Sequence, residues 1–284
     1  MLRVARLPDV VSCLERERGR KPELDRTLEL HLALLVAQMS SPERPAHLDA
    51  RDEEAGPRDE EIRRRLREGA PLIQVESLLA DWGALVWLCG QVCRLVSQHR
   101  PELASDLEAV SSLMSDRPAA SELIAAYLAS RSGAGFAAAS GYPALLGFAL
   151  NHTLRPFLRA AAEAAAPLVD DESWGRPFCP VCGGAPDLAA LESGGGRRLL
   201  CSRCDVEWHF RRVGCPFCGS EGSISYWPSE GGAYRLYVCE ACRAYLKTVD
   251  EREVVLARPL PAERILTVEL DLAAQAAGYQ SLAG

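Results

Sequence analysis

Four Cys-x-x-Cys pairs lie between Cys179 and Cys242, and they constrain this chain more than anything else in it. The first unit is Cys179-Pro-Val-Cys182-Gly183, with Cys201-Ser-Arg-Cys204 eighteen residues on. The second is Cys215-Pro-Phe-Cys218-Gly219, with Cys239-Glu-Ala-Cys242 twenty residues on. Two intervening residues let one tight turn bring both sulfurs to a single ion, and a glycine after the second cysteine can take the left-handed backbone that aims N–H groups at thiolates. Two such knuckles separated by a hairpin close a tetrahedral four-sulfur site. The expected ligands are therefore Cys179, Cys182, Cys201 and Cys204 for one ion, and Cys215, Cys218, Cys239 and Cys242 for another. Spacing also permits a cross-braced arrangement, first pair with third. Sequential pairing is preferred because each half is self-contained. His209 could substitute as a ligand, but the cysteine set is already complete. Four thiolates suit zinc and iron of the rubredoxin kind alike, so the expected cofactors are two metal ions, iron or zinc, one per site. Such sites have no open coordination position, which fits a structural or electron-transferring centre and not a hydrolytic one. No catalytic residue and no organic cofactor site is expected.

Disulfides within the pairs are disfavoured by the compartment the sequence suggests. The N-terminus runs Met1-Leu2-Arg3-Val4-Ala5-Arg6 into charged sequence, without the apolar core of a signal peptide. No stretch reaches the roughly 18 uncharged apolar residues of a membrane span. A cytoplasmic protein with reduced thiols is expected. Thioredoxin-like chemistry needs one pair beside a βαβ pattern, whereas here every pair is duplicated at ribbon spacing. Charge argues against a general nucleic-acid binder. There are 20 Lys+Arg against 26 Asp+Glu up to Gly175, and 12 against 13 thereafter, so neither half is strongly basic.

Upstream of about residue 168 the chain reads as a helical bundle of six or seven helices. Pro22 opens a run with Leu24, Leu28, Leu32 and Leu35 at helical spacing, ending near Met39. Residues 44–57 read as a loop and 59–67 as a short charged helix stopped by Gly69 and Pro71. One long apolar helix is expected from Val75 to His99. Pro101 and Pro118 open two shorter helices, and another covers Ala144 to Ala166. Cys89 and Cys93 share an apolar helix face and read as core thiols. His31 and His152 read as satisfied core histidines, and Arg63-Arg64-Arg65 as part of a solvated face.

Beyond an acidic and then aromatic linker (Val169 to Pro177) the helical period gives way to short strands: 188–191, 197–201, 207–212, 223–227, 234–238 and 245–249. Gly194-Gly195-Gly196 and Gly231-Gly232 sit where hairpins need positive φ. The same three-strand unit is thus expected twice. The fold class is α+β: an N-terminal helical bundle (1–168), two tandem rubredoxin-like or zinc-ribbon modules of antiparallel strands (169–213 and 214–260), and a C-terminal helical tail (261–284).

The residues around the cysteines resemble the FdhE family of formate dehydrogenase accessory proteins. The resemblance rests on Trp174, Cys179-Pro-Val-Cys-Gly-Gly-Ala-Pro186, Arg198-Leu-Leu-Cys-Ser-Arg-Cys-Asp-Val-Glu-Trp-His-Phe-Arg-Arg212, Cys215-Pro-Phe-Cys-Gly219 and Tyr237-Val-Cys-Glu-Ala-Cys-Arg-Ala-Tyr-Leu-Lys-Thr-Val-Asp250. The Cys-x-x-Cys-x-x-Glu-Trp stretch and the Tyr-Leu-Lys after the last pair are more specific than the cysteines alone. The tail departs: Arg264-Ile265-Leu266 stands where the family usually shows a pair of aspartates, while Leu270-Asp271-Leu272 and Gly278-Tyr279 are kept. The resemblance implies a cytoplasmic maturation factor without turnover of its own. It implies iron binding and a partner, the catalytic subunit of respiratory formate dehydrogenase, met before export.

On this reading the ribbons are a docking platform, with Trp208, Phe210, Tyr226, Trp227, Tyr234 and Tyr237 as candidate aromatic anchors. Two alternatives belong to other classes. One is a rubredoxin-like electron-transfer protein. The other is a nucleic-acid-binding ribbon using Arg197, Arg198, Arg203, Arg211 and Arg212, which the near-neutral ribbon half disfavours.

Overall fold

The computed structural model describes residues 2–40, 55–131, 136, 144–254 and 256–283. Strand β1 (Arg3–Val4) is followed by helices α1 (Leu7–Glu17), α2 (Asp25–Met39), α3 (Ala55–Glu68), α4 (Val75–Leu79), α5 (Trp82–His99), α6 (Ala104–Ser115), α7 (Arg117–Ala129), α8 (Ala144–Ala165) and the single turn α9 (Asp171–Trp174). Strands β2 (Pro186–Leu191), β3 (Arg197–Cys201), β4 (Val206–Phe210), β5 (Ile224–Pro228), β6 (Tyr234–Cys239) and β7 (Tyr245–Asp250) come next, before α10 (Leu260–Leu266) and α11 (Val268–Ala276).

Most expected boundaries hold to within two residues. Helix α1 was not anticipated, although its buried Val10, Cys13, Leu14 and Glu17 recur at i, i+3, i+4 and i+7. The run from Val75 to His99 is two helices, interrupted between Leu79 and Trp82. The expected loop lies largely outside the described residues, and α3 begins within its last part, at Ala55. The stretch from Val169 to Pro177 is packed: Val169 and Trp174 are buried, and the Trp174 Nε1–H donates to the Phe178 carbonyl at 2.7 Å.

The two expected ribbons are present, and they share one sheet. Each is a three-stranded antiparallel unit, β2–β3–β4 and β5–β6–β7. The units join through a parallel pairing of β2 with β7, in which Leu188, Ala189, Ala190 and Leu191 face Lys247, Thr248, Val249 and Asp250. Residues Arg3 and Val4 then add along β4, giving one seven-stranded sheet of order β1-β4-β3-β2-β7-β6-β5. The period of two divides β2 and β3 between two cores. Ala189 and Leu199 join the core of the helical bundle, with Leu88, Val92, Leu154 and Leu158 of α5 and α8. Leu188, Ala190 and Leu200 face the other way, toward Val249 and Leu260. The first ribbon is therefore covered on both faces, which is why β3 is buried at every residue.

The tail closes the assembly. Ala262 and Leu266 of α10 pack against Val10, Leu14, Leu28 and Leu32 of α1 and α2. Helix α11 packs on β6 and β7 through Ala274 and Leu270. Asp271 accepts hydrogen bonds from the Tyr245 hydroxyl at 2.9 Å and from Lys247 Nζ at 2.7 Å. The kept Leu-Asp-Leu and Tyr-Leu-Lys stretches thus meet each other. No helix among the described residues is long and apolar enough to cross a membrane.

Ala190 sits fully buried at the seam between the two ribbons. Ala190→Leu would force extra volume into that packed seam, and a loss of about 1–3 kcal/mol is expected, read as a lowered midpoint in urea unfolding.

Candidate metal centres

Three of the four knuckles show the same pair of backbone hydrogen bonds. The N–H of Cys179 donates to the Gly184 carbonyl (2.9 Å) while the Gly183 N–H returns to the Cys179 carbonyl (2.9 Å). Cys215 repeats this with Ser220 and Gly219, and Cys239 with Ala244 and Arg243. Closing the turn requires a left-handed residue four positions after the first cysteine. Gly183 (φ 74°) and Gly219 (φ 81°) supply it as the sequence suggested, whereas the other two knuckles use Asp205 (φ 57°) and Arg243 (φ 57°). Aspartate tolerates this conformation through its short polar side chain, but arginine has no such help.

These turns gather the cysteines sequentially, not cross-braced. Cys179, Cys182, Cys201 and Cys204 form one group and Cys215, Cys218, Cys239 and Cys242 the other, with all sulfurs of a group within 4.8 Å of one another. In the first, Cys179–Cys204 and Cys182–Cys201 Sγ distances are 3.4 and 3.3 Å; in the second, Cys215–Cys242 and Cys218–Cys239 are 3.7 and 3.6 Å. A tetrahedron with metal–sulfur bonds of about 2.3 Å has edges of about 3.8 Å, so both groups could each hold one ion with little adjustment. The N–H groups of Arg203 and Phe217 point at Cys201 Sγ and Cys215 Sγ, each at 3.4 Å, where they would stabilise a thiolate. Burial pushes the Cys179 and Cys204 thiols well above their ordinary range. A cation is what would let sulfurs so deeply buried ionise together. His209 stands apart from both groups and hydrogen-bonds Arg198 and Glu192.

The first group is held by charges that the sequence did not mark. Asp205, next to Cys204, is fully buried and accepts from three guanidiniums. Arg155 and Arg159 come from α8, the latter at 2.6 Å, and Arg264 comes from α10 at 2.7 Å. The same arginines hold the knuckle's backbone: Arg155 donates to the Ser202 carbonyl (2.6 Å) and Arg264 to that of Cys201 (2.6 Å). Arg264 also pairs with Asp187 of β2 at 2.6 Å. Burial opposes ionisation of Asp205, but Arg155, Arg264 and Arg159 more than offset it and hold the carboxyl at about 2. Arg203 is buried as well; it lies 4.1 Å from the Tyr127 ring centroid and donates to the Ser130 carbonyl at 2.7 Å.

Several expected surface residues face inward. Arg197, Arg198 and Arg203 are buried, so the five arginines do not form one exposed strip. Trp208 and Phe210 are buried too, the Trp208 Nε1–H donating to the Arg176 carbonyl at 3.0 Å, so neither is an exposed anchor. Tyr234 is half-buried with its hydroxyl donating to Glu263 (2.9 Å), and Tyr237 is half-buried. Tyr226 and Trp227, at 50% and 40% exposure on edge strand β5, are the two that stand open.

A cavity of about 730 Å³ opens beside the Asp205 cluster, with His31, Gln38, Phe148, His152, Arg155 and Arg264 among its lining. The two histidines therefore face a cavity instead of lying within close-packed core. Burial, helped by Arg155, lowers His31 to about 4, so its imidazole is neutral near pH 7. Cys89 and Cys93 are buried core thiols, as expected.

Asp205→Asn would leave Arg155, Arg159 and Arg264 buried around a neutral amide, with an expected loss of about 3–5 kcal/mol at pH 7. Because the carboxyl is held at about 2 against an ordinary 3.8, its ionic stabilisation is complete above pH 3.8 and lost as pH falls toward 2. The wild-type advantage over Asp205→Asn in urea unfolding should therefore shrink across that window and be constant above it.

Residues 178–212 match the family described as "FdhE, central domain". The chain is 34% identical over 142 residues to an FdhE homolog from Aquifex aeolicus, covering 48% of this chain and 49% of that protein. It is 32% identical over 109 residues to FdhE from an Escherichia coli strain, covering 37% and 35%. The chain thus spans about half and about a third of the length of these two curated relatives. The crystal structure of FdhE from Pseudomonas aeruginosa superposes with a TM-score of 0.64 at 22% identity, covering 100% of this chain and 96% of that one. The chain is thus similar to FdhE proteins, matching the central domain of that family over residues 178–212 and sharing the fold of the Pseudomonas aeruginosa structure along its length.

Proposed function

We propose that this chain is a formate dehydrogenase accessory protein of the FdhE type, which binds the catalytic subunit of that enzyme in the cytoplasm before export. The observation that carries the reading is the coincidence of the FdhE central domain with a closed four-sulfur group whose knuckle is anchored from two other parts of the chain. The resemblance supplies the partner; the geometry supports a platform. All four sulfurs at each group come from the protein, so an ion held there has no free position for a hydrolytic substrate. The eight cysteines Cys179, Cys182, Cys201, Cys204, Cys215, Cys218, Cys239 and Cys242 would each ligate one of two ions, iron or zinc, whose chemistry here is to fix the knuckles and not to turn over a substrate. The sheet those knuckles cap ends in β5, where Tyr226 and Trp227 offer aromatic surface beside an unpaired strand edge.

The test is made in a host whose formate dehydrogenase depends on this factor. Replacing Cys215 and Cys218 together by Ser is expected to abolish formate dehydrogenase activity in cells. Affinity capture of the tagged wild type under low oxygen should recover the catalytic subunit, and capture by the double variant should not. Normal activity in the variant would overturn the reading, and a reversible iron-centred redox change without capture of the subunit would move the protein to the electron-transfer class.

A further inference from the structure

We propose that the two sulfur groups have divided roles: the first locks its ion in place, while the second is the port at which a soft divalent cation enters, leaves or meets an external thiol. This rests on both groups being metal centres.

The sulfurs are alike in spacing but not in surroundings. In the first group every cysteine is buried, at 2% exposure or less. A segment from before α4 lies across its leading knuckle: the N–H groups of Leu72 and Ile73 donate to the carbonyls of Pro180 and Val181 at 3.1 and 2.9 Å. Pro71 sits so close that a Cβ on Gly183 would lie 2.9 Å from it. The far knuckle is tied down through Asp205, Arg155 and Arg264. Opening the first group means lifting backbone, buried ion pairs and the bundle together.

The second group lacks that cover. Cys215 and Cys239 are buried, but Cys218 is exposed and Cys242 half-exposed. The position equivalent to Gly183 is Gly219, where a Cβ would meet only the guanidinium of Arg211, at 3.7 Å, which also donates to the Gly219 carbonyl at 3.0 Å. Arg211 reaches across to Glu221 (3.0 Å) in an exposed pair, which costs little to break. An incoming thiol can therefore approach the ion along the Cys218 side. Its proton would go to Cys218 as a new sulfur–metal bond formed and a Cys218–metal bond broke. Charge and oxidation state are unchanged, and Cys215, Cys239 and Cys242 hold the ion meanwhile. Four such exchanges, supplied by two dithiol molecules, would transfer the ion to a bis-dithiolate and leave all four cysteines protonated.

The experiment uses the full chain reconstituted with cadmium-113 and challenged with 2,3-dimercaptopropanol. Two tetrathiolate cadmium resonances are expected, one disappearing at least about tenfold faster than the other while the far-ultraviolet circular dichroism is kept. Iodoacetamide added at that stage should label peptides carrying Cys218 and Cys242, with those carrying Cys179 to Cys204 unlabelled. Cys218→Ser should shift only the fast resonance. Loss of both resonances at one rate, or labelling of the first group, would overturn the division of roles with the metal centres intact. A chain that takes up no cadmium would overturn the metal-centre reading itself, and this inference with it.

Discussion

Asp205 is the residue on which the rest of the structure converges. It closes the second knuckle of the first sulfur group in a left-handed conformation, and its carboxylate gathers guanidiniums from α8 and from α10. A single buried anion among three cations is tolerable only because every arm does further work. The arginines satisfy the carbonyls of Cys201, Ser202 and Ala5, and Arg264 shares its charge with Asp187. Burying charges without such partners would cost several kcal/mol each. Helical bundle, ribbon and tail are thereby referred to one carboxylate on the residue next to Cys204, so the geometry of the sulfur group and the packing of the three parts are set together.

The parallel pairing of β2 with β7 produces the asymmetry between the two ribbons. It places the first ribbon in the interior of the sheet, between the bundle on one face and α10 on the other, and leaves the second ribbon outermost with β5 as an edge. Two units with the same cysteine pattern thus acquire different exposure. The same arrangement leaves Tyr226 and Trp227 open while burying Trp208 and Phe210, so aromatic content alone did not distinguish surface from core.

Much of the chain was legible beforehand. The six strands, the glycine turns and the cysteine knuckles follow from short-range rules: spacing, period two, and the need for positive φ at Gly183, Gly195, Gly219 and Gly231, while the sequential grouping was the preferred of two arrangements that spacing allowed. Reading the bundle from prolines and leucine spacing also worked, with α1 the omission. Its stripe of Val10, Cys13, Leu14 and Glu17 is short and ends in a charge, and it becomes a helix face only against α2 and α10. The departure at Arg264, visible in sequence as a mismatch with the family, acquired a meaning only when its guanidinium was found between Asp187 and Asp205.

By itself the sequence determined the local units: which cysteines turn back on one another, where strands and helices lie, and that two similar ribbons follow a bundle. These are set by backbone sterics and side-chain period within a few residues of the chain. Only the tertiary structure decided that the ribbons share one sheet, that Asp205 binds arginines 46 to 59 residues away, and that one sulfur group is buried while its twin is open. Those outcomes depend on which surfaces exclude water from which, and desolvation is a property of the assembled fold that no local pattern encodes.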